Sequence, residues 1–360
     1  MTSQIKKVGV IGAGTMGAGI AGQVANAGTE VWLLDLPSND ENVNILSTKG
    51  LERLKDSDMP GLMSEEAEKL INLGNTRDHF HELEDCDWIA EAVVERLDIK
   101  KALYRRLNDA CKKSTIITSN TSTIPIQLLT EGMPTEFCER FAITHFFNPV
   151  RYMALLEIVT EEVNDIEKIN LLKQFCDEKL GKGVIICNDT PGFIGNRIGV
   201  YAMQVAMTEA FKMKLTIEEA DAVFGRPMGI PKTGVFGLYD LIGIDLMADV
   251  LKSFVKELPK SDVFHEVAQE IPLVKNLIET GYTGRKGKGG FYRMNKKDGK
   301  KVLEAINLTT KDYFPSKKID LNIDEKVNLK ELVSRNDKYG KYAWLVISKI
   351  ILYASSLIPN

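Results

Sequence analysis

The chain has 360 residues, 44% of them hydrophobic and 27% charged, which is typical of a globular protein with more than one domain. Its 46 lysines and arginines and 50 aspartates and glutamates give a net charge of −4, which argues against a general nucleic-acid-binding protein. The five cysteines fit neither a zinc site nor a disulfide framework, and no apolar run is long enough to span a membrane, so we expect a cytoplasmic protein.

Strand and helix patterns alternate over the first half of the chain. Lys7–Ile11 is a β-branched run, followed by a small-residue segment that predicts a helix over 15–27 and by a second strand over 30–34. Further apolar runs predict strands at 88–94, 115–118, 141–146, 155–159 and 184–187. Apolar and polar residues do not alternate within these runs, and amphipathic segments separate them. This pattern predicts an α/β fold with a Rossmann-like, doubly wound, mostly parallel sheet.

The character of the chain changes after residue 188. Residues 1–188 predict the Rossmann-like domain, with a charged helical pattern at about 43–73 that indicates an inserted helix pair. Thr190-Pro191-Gly192 predicts a helix start, and residues 189–294 form an all-helical domain. The lysine-rich stretch 295–330 predicts a polar linker or extension. Residues 331–360 predict the start of a second, truncated helical domain, because their helix has an apolar face without companions.

A glycine motif connects the first predicted strand to the first helix. It consists of Gly12, Ala13, Gly14, Thr15, Met16 and Gly17. Gly12 permits the tight turn, Gly14 lets the backbone approach a pyrophosphate, and Gly17 lets helix and strand pack, while the helix N-terminus at Thr15 and Met16 meets the anion. Asp35 ends the second strand, where its carboxylate suits two ribose hydroxyls and repels a 2′-phosphate. The motif predicts binding of NAD rather than NADP.

A histidine and a glutamate occupy two otherwise apolar strands. His145 ends the run 141–146, and Glu157 lies twelve residues later within the run 155–159. Ligands of open α/β sheets bind where strands end, and imidazole is partly neutral at physiological pH, so His145 is a candidate general base. A buried carboxylate needs a partner, and Glu157 is placed to orient the imidazole. For this pair alone, a structural ion pair is an equally good interpretation.

Several motifs are collinear with those of one enzyme family. They are Gly12–Gly17, Glu91–Glu95, Ser119–Ser122, His145–Val150, Asp189–Arg197, Pro227–Gly229 and Asp240–Asp245. With these motifs the sequence resembles the L-3-hydroxyacyl-CoA dehydrogenase family of fatty-acid β-oxidation from Lys7 to about Tyr292. We expect the N-terminal part of a longer or multifunctional member of that family.

The resemblance implies a reaction and a catalytic set. The reaction is oxidation of (S)-3-hydroxyacyl-CoA to 3-oxoacyl-CoA with NAD as the hydride acceptor. His145 would be the base, Glu157 would orient it, and Ser122 and Asn196 would bind substrate. From the residues alone, Ser122 is also compatible with a helix cap and Asn196 with a helix surface position. The implied partners are an acyl-CoA thioester and either a second subunit or a second helical domain of the same chain, with the helical domain serving substrate binding and dimerisation.

The resemblance also implies cofactor contacts beyond the glycine motif. Ser122, Glu95, Lys100 and Asn148 would contact the nicotinamide half, and Lys286 would be a further contact in a glycine segment whose spacing differs from the family pattern. Without the resemblance, Glu95 and Lys100 are better explained as a solvated charge pair.

Two other groups carry weaker signals. Lys49, Arg53 and Lys55 suit the phosphates of CoA, although a charged helix face in contact with water is the commoner explanation. His79 and His81 have a spacing that suits one strand face, but no further ligand is near them in the sequence, so we predict no metal site.

Two alternative functions stay open. Other two-domain β-hydroxyacid dehydrogenases combine a similar glycine motif with a helical second domain and use a lysine base. A non-catalytic NAD-binding structural or sensing protein would share the fold without the activity.

Overall fold

The computed structural model describes residues 4–55, 59–230, 232–297, 299–321 and 329–358. The chain divides into two compact units, residues 1–195 and 196–360. The sequence predicts a domain boundary after residue 188, whereas residues 189–195 belong to the first unit. Phe193 is buried in the core of that unit, and the backbone N–H groups of Ile194 and Gly195 donate to Glu157.

One sheet forms the centre of the N-terminal unit. Its strands are β1 (Lys7–Ile11), β2 (Glu30–Asp35), β3 (Ile71–Asn75), β4 (Trp88–Glu91), β5 (Ile116–Ser119), β6 (Phe141–Phe146), β7 (Leu155–Thr160) and β8 (Gly183–Asn188). They lie in the order β3-β2-β1-β4-β5-β6-β7-β8, and β6 and β7 are the antiparallel pair of an otherwise parallel sheet. This confirms the predicted Rossmann-like, mostly parallel sheet.

Helices cover both faces of this sheet. They are α1 (Thr15–Asn26), α2 (Ile45–Lys55), α3 (Glu65–Glu68), α4 (Leu97–Ala110), α5 (Ile126–Thr130), α6 (Thr135–Cys138) and α7 (Ile166–Gln174). Successive strand residues point to opposite faces, so Val10 and Ala90 join one hydrophobic cluster while Ile11 and Ile89 join another. Burial on both faces explains why the strands are apolar without alternation.

The predicted inserted helix pair at about 43–73 is only partly correct. The helices α2 and α3 form, but residues 71–75 are the edge strand β3, which pairs with β2 in parallel. Asparagines at positions 72 and 75 and a glycine at 74 interrupt the apolar character of this short strand, so its pattern does not stand out from the charged helices before it. Residues 56–58 lie outside the described part of the chain.

The C-terminal unit is mainly helical. Its helices are α8 (Gly195–Lys212), which starts at the unit boundary, α9 (Ile217–Val223), α10 (Gly234–Ile242), α11 (Ile244–Glu257), α12 (Phe264–Val267), α13 (Pro272–Glu279), α14 (Leu329–Val333) and α15 (Lys338–Ser356). The prediction that a helix starts at Thr190 is wrong, because Gly192 and Phe193 have positive φ angles of 75° and 47°, which no α-helix contains. The helix starts at Gly195, immediately after this turn.

A small sheet occupies part of the predicted polar linker or extension at 295–330. Its antiparallel strands are β9 (Tyr292–Lys297), β10 (Lys300–Ile306) and β11 (Tyr313–Pro315). The prediction of a linker is wrong here because Ala305 and Ile306 enter the hydrophobic core, and buried Glu304 accepts a hydrogen bond from Arg293. Residues 298 and 322–328 of the predicted linker lie outside the described residues.

The helix α15 packs within the C-terminal unit. The sequence predicts a helix without companions in a separate truncated domain, but Tyr342, Ala343 and Val346 are completely buried in the same cluster as α8 and α9. The Tyr342 hydroxyl donates to the carbonyl of Ala206, and the ring of Tyr353 stacks on that of Tyr201 at 4.0 Å. Among the described residues, no helix is both long and apolar enough to cross a membrane.

Candidate active site

The glycine motif forms the turn that a dinucleotide site requires. Gly12 has a φ of 100°, and a Cβ there would lie 2.4 Å from the Ala92 carbonyl oxygen, while a Cβ on Gly17 would lie 1.7 Å from the Gly12 oxygen. Gly14 is the N-cap of α1 and has open space where its Cβ would be. Backbone N–H groups at this helix start are therefore accessible to a pyrophosphate, and the turn fits NAD.

Asp35 lies beside the glycine motif, at the end of β2. Its carboxylate accepts hydrogen bonds from the backbone N–H groups of Ala13, at 2.6 Å, and Leu36, at 2.7 Å. A carboxylate has about four acceptor positions, so each oxygen keeps capacity for a ribose hydroxyl. The position is the one expected for the acid that selects NAD.

A groove of about 410 Å³ lies at the carboxyl ends of β4, β5 and β6. Its lining residues are Met16, Ala92, Val93, Glu95, Lys100, Asn120, Ser122, His145, Phe146, Phe147 and Asn148. The groove brings together six of the residues singled out in the sequence, which are Met16, Glu95, Lys100, Ser122, His145 and Asn148. Asn196 and Lys286 belong to the C-terminal unit, where Asn196 is the second residue of α8 and Lys286 lies on an exposed turn.

His145 and Glu157 form a buried pair. Antiparallel pairing of β6 and β7 places the two residues directly opposite each other, and His145 Nδ1 lies 2.6 Å from Glu157 Oε2. Glu157 is fully buried and His145 is 7% exposed. Because Glu157 Oε1 accepts two backbone N–H groups, the ionised carboxylate fits best, which assigns the proton to Nδ1 and leaves a lone pair on Nε2.

The carboxylate of Glu157 is held by the turn before α8. The N–H groups of Ile194 and Gly195 donate to Oε1 at 2.8 and 2.6 Å. The positive end of the helix dipole therefore stabilises the negative charge. Burial, and then the charge of Glu157, raises the pKa of the nearby Cys187 thiol to about 12.

A second buried carboxylate, Glu91, was missed in the sequence. It is fully buried at the end of β4 and accepts hydrogen bonds from Lys100 Nζ at 2.6 Å, Tyr104 Oη at 2.6 Å and Ser119 Oγ at 2.8 Å. Burial, followed by the charge of Glu91, raises the pKa of Tyr104 above its usual value. The signal that could have found Glu91 is the one that identified Glu157, a single charge at the end of an apolar strand.

Lys100 is not solvated, so the explanation of Glu95 and Lys100 as a solvated pair is wrong. Lys100 is 1% exposed, and its ammonium lies 2.6 Å from Glu91 and 3.3 Å from Glu95. The pKa of Glu95 lies below its usual value. Burial raises this pKa, but three contacts lower it by more. They are a hydrogen bond from Thr121, the charge of Lys100 and a hydrogen bond from Thr123. The lysine thus connects two carboxylates next to the groove.

Asn120 links two strand ends in the groove. Its Oδ1 accepts the backbone N–H of Phe146 at 2.9 Å, and its own N–H donates to the Glu91 carbonyl oxygen at 2.7 Å. The residue that follows His145 is thereby tied to the end of β5. Asn120 carries no prediction of its own in the sequence, although it directly precedes Thr121 and Ser122.

The weaker candidates have ordinary local partners. Arg53 donates to the Ala13 carbonyl at 3.4 Å, beside the glycine motif, and Lys55 pairs with Glu68 at 2.9 Å. His79 accepts the backbone N–H of Asn75 through Nδ1 at 3.2 Å. Within the described ranges, no group of three or more His, Cys, Asp or Glu residues is placed to hold a metal ion.

Comparison with known protein families identifies the family to which the chain belongs. Residues 7–190 match the family model of the 3-hydroxyacyl-CoA dehydrogenase NAD binding domain, and residues 192–294 match that of the 3-hydroxyacyl-CoA dehydrogenase C-terminal domain. The chain belongs to the 3-hydroxyacyl-CoA dehydrogenase family. The residues that match the NAD binding domain include the glycine motif, Asp35 and the residues that line the groove.

Individual relatives agree with this family. The chain is 39% identical over 294 residues to a probable 3-hydroxyacyl-CoA dehydrogenase of Deinococcus radiodurans, covering 81% of this chain and 84% of that protein. A solved structure of a (S)-3-hydroxybutyryl-CoA dehydrogenase from Ralstonia eutropha is 30% identical, with a TM-score of 0.65 over 81% of this chain and 100% of that chain.

Longer relatives also match. The chain is 39% identical over 361 aligned residues to a putative fatty acid oxidation complex trifunctional enzyme of Rickettsia prowazekii, which covers 100% of this chain but 50% of that protein. A relative of Rickettsia felis with the same description has the same coverage. The chain thus spans about half the length of these relatives.

Proposed function

We propose that this member of the 3-hydroxyacyl-CoA dehydrogenase family oxidises (S)-3-hydroxyacyl-CoA to 3-oxoacyl-CoA with NAD. The observation that carries the proposal is His145, which lines a groove beside the glycine motif and whose Nδ1 lies 2.6 Å from buried Glu157. The names of the relatives from Deinococcus and Ralstonia support the substrate class. The Rickettsia relative's name supports a role in fatty-acid oxidation, and we propose a cytoplasmic location.

His145 is the proposed general base. Its Nε2 lone pair accepts the proton of the substrate hydroxyl, while Nδ1–H stays bonded to Glu157. The imidazolium that forms is stabilised by the buried negative charge of Glu157, which also fixes the tautomer. NAD supplies the hydride acceptor for the C3 hydrogen of the substrate.

The other proposed roles follow the chemistry of each side chain. Ser122 lines the groove with its hydroxyl free of hydrogen bonds to the described residues, which suits a contact to the substrate oxygen. Asn196 is proposed to donate to a substrate oxygen. Asn148 and Lys286 are proposed cofactor contacts. Residues 189–294 are proposed to serve substrate binding and dimerisation, or pairing with a second helical domain.

The geometry favours a histidine over a lysine as the base. Lys100 lines the groove, but its ammonium is engaged by the carboxylates of Glu91 and Glu95. His145, in contrast, keeps one nitrogen free of hydrogen bonds to the described residues. This observation disfavours the alternative of a lysine-dependent β-hydroxyacid dehydrogenase.

The test is an NADH oxidation assay with acetoacetyl-CoA and longer 3-oxoacyl-CoA substrates. We expect turnover with NADH, and a His145→Gln variant whose kcat is about 10²- to 10⁴-fold lower. His81→Gln is the matched control, because His81 is largely exposed and should be removable without loss of turnover. Protein that binds NADH but oxidises none of it with any of these thioesters would favour a sensing protein, and near-normal turnover of His145→Gln would exclude the proposed base.

A further inference from the structure

We propose that Thr121 is a positioning residue that sets the conformation of the turn carrying Ser122, and that the buried Glu91–Lys100 pair, together with the more exposed Glu95, anchors this turn. The inference rests on the proposed function, because the role of Ser122 is part of it. It concerns how the groove presents a substrate-binding hydroxyl that has no hydrogen-bond partner of its own among the described residues.

The hydroxyl of Thr121 is the centre of the turn. It donates to Glu95, and it accepts the backbone N–H groups of Thr123 at 3.3 Å and Ile124 at 3.1 Å. A threonine hydroxyl has one donor and two acceptor positions, so all of them are used. Thr121 is 1% exposed, and these bonds enclose Ser122 on both sides along the chain.

A second anchor lies just before the turn. The backbone N–H of Thr121 donates to Ser119 Oγ at 3.3 Å, and Ser119 Oγ donates to Glu91 at 2.8 Å. The Thr123 hydroxyl donates to Glu95 at 2.9 Å. The turn is therefore attached to one carboxylate at each end.

The two carboxylates are themselves fixed by Lys100. Its ammonium lies 2.6 Å from Glu91 Oε1 and 3.3 Å from Glu95 Oε2, and its side chain is 1% exposed. The lysine offsets the repulsion between the two negative charges. Because Glu91 and Lys100 are buried, their pairing holds one geometry better than a pair of exposed charges does.

Three successive residues of the turn therefore have different contacts. Thr121 and Thr123 bind the protein, whereas the side chain of Ser122 faces the groove without a bond to the described chain. The position of the Ser122 hydroxyl is thus set by the backbone of the turn. A displacement of about 1 Å at a substrate-positioning group can cost about 10²-fold in rate.

The test compares two substitutions at Thr121. Thr121→Val keeps the shape but removes the hydroxyl, which leaves the N–H groups of Thr123 and Ile124 without an acceptor. We expect kcat with acetoacetyl-CoA to fall by about tenfold or more, and Thr121→Ser, which keeps the hydroxyl, to restore most of it. Thr130→Val is the matched control, because Thr130 also has a buried hydroxyl, which donates to the Ile126 carbonyl away from the groove.

A double-mutant cycle with Ser122→Ala separates positioning from general stability. If Thr121 acts through Ser122, Thr121→Val should change kcat by less than about twofold in the Ser122→Ala background, because the group being positioned is gone. An equal loss in both backgrounds, or a Thr121→Ser variant as slow as Thr121→Val, would overturn the inference.

The same data distinguish the two proposals. A wild-type protein that is inactive with every 3-oxoacyl-CoA would remove the proposed function together with this inference. An active wild type with no coupling between positions 121 and 122 would remove the positioning role alone.

Discussion

Both units of the molecule bury carboxylates, and two buried carboxylates from each unit can be compared by the kind of partner they bind. In the N-terminal unit, Glu157 pairs with His145 and Glu91 pairs with Lys100, and both pairs reach the groove. In the C-terminal unit, Asp221 and Asp240 accept hydrogen bonds from backbone N–H groups and bind no cation within the described residues.

The aspartates of the C-terminal unit connect secondary structure elements. Asp221 of α9 accepts the N–H groups of Phe236 and Gly237 in α10 at 2.7 and 3.0 Å, and the Tyr292 hydroxyl at 2.9 Å. Asp240 accepts the N–H groups of Phe291 and Tyr292 at 2.8 and 2.7 Å. Burial raises the pKa of Asp221 to about 7 and that of Asp240 to about 6.

The difference shows that burial of a charge does not by itself identify a catalytic site. A carboxylate whose partners are backbone amides stabilises the fold, because its bonds join segments that would otherwise have unsatisfied N–H groups. A carboxylate whose partner is another titratable side chain facing a groove can tune or hold a reacting group. Changes at the two kinds of carboxylate should therefore affect different measurements.

The largest effect is expected for Glu157→Gln. The amide keeps the size of the side chain but has no charge to stabilise the imidazolium at His145, so kcat should fall by about 10²- to 10⁴-fold. The measurement is steady-state NADH oxidation with acetoacetyl-CoA. Asp221→Asn is the matched control, since it should lower stability while the folded protein keeps its kcat; similar losses of kcat in both variants would contradict the comparison.

Lys100→Met should cost the N-terminal unit about 3 to 5 kcal/mol of unfolding free energy. The substitution leaves Glu91 fully buried without its cation, and an uncompensated buried charge is expensive. Lys101→Met on the same helix is the control, because its partner Glu131 is 70% exposed and such a pair contributes about 1 kcal/mol or less. Urea unfolding measures the free energy of unfolding of both variants. Equal decreases would show that the buried ion pair of Lys100 contributes no more to stability than the exposed pair of Lys101.

The sequence predicted the parts of the site that local patterns encode. The glycine motif and Asp35 follow from chain-local turn and strand geometry, and Glu157 was visible as a charge in an apolar strand. Glu91, and the burial of Lys100 against it, escaped because the two residues lie nine residues apart on a strand end and the next helix. Whether the lysine turns inward depends on how α4 packs on the sheet, which spacing alone does not encode.

The same reasoning explains the misjudged segments of the fold. The edge strand β3 lacks an apolar strand pattern because two of its three buried residues, Gly74 and Asn75, are not hydrophobic. The hairpin formed by β9 and β10 looks like a linker because its lysines surround the turn, while its contribution to the core comes from the end of β10, at Ala305 and Ile306. In both cases tertiary contacts, rather than periodicity, determine the strand.

The pH dependence of stability should differ between buried carboxylates of the two units. The pKa of Asp221 is raised from 3.8 to about 7 in the folded state, so between about pH 4 and pH 7 the folded protein keeps a proton that the unfolded chain loses. Its contribution therefore makes stability fall as pH rises through this window, by at most about 1.4 kcal/mol per pH unit. Glu95, with a lowered pKa, contributes with the opposite sign.

The measurement is the unfolding free energy of wild type and Asp221→Asn at several pH values. The difference between the two proteins should change between about pH 4 and pH 7 and be flat on either side. A constant difference across the window would mean that Asp221 is ionised in the folded protein throughout. In that case, the three hydrogen bonds that Asp221 accepts would lower its pKa by more than burial raises it.

The smallest effect is expected at the contact between α15 and α8. The Tyr353 hydroxyl accepts from Arg197 Nε at 3.0 Å and lies 3.1 Å from Asp262 Oδ1, to which it donates. Tyr353→Phe removes both bonds but keeps the ring stacked on Tyr201, and Arg197 and Asp262 stay paired with each other. Because no charge is left alone, we expect a loss of only about 1 kcal/mol in thermal or urea unfolding. A loss as large as that of Lys100→Met would show that polar contacts of the C-terminal unit are as sensitive as the buried charge pairs beside the groove.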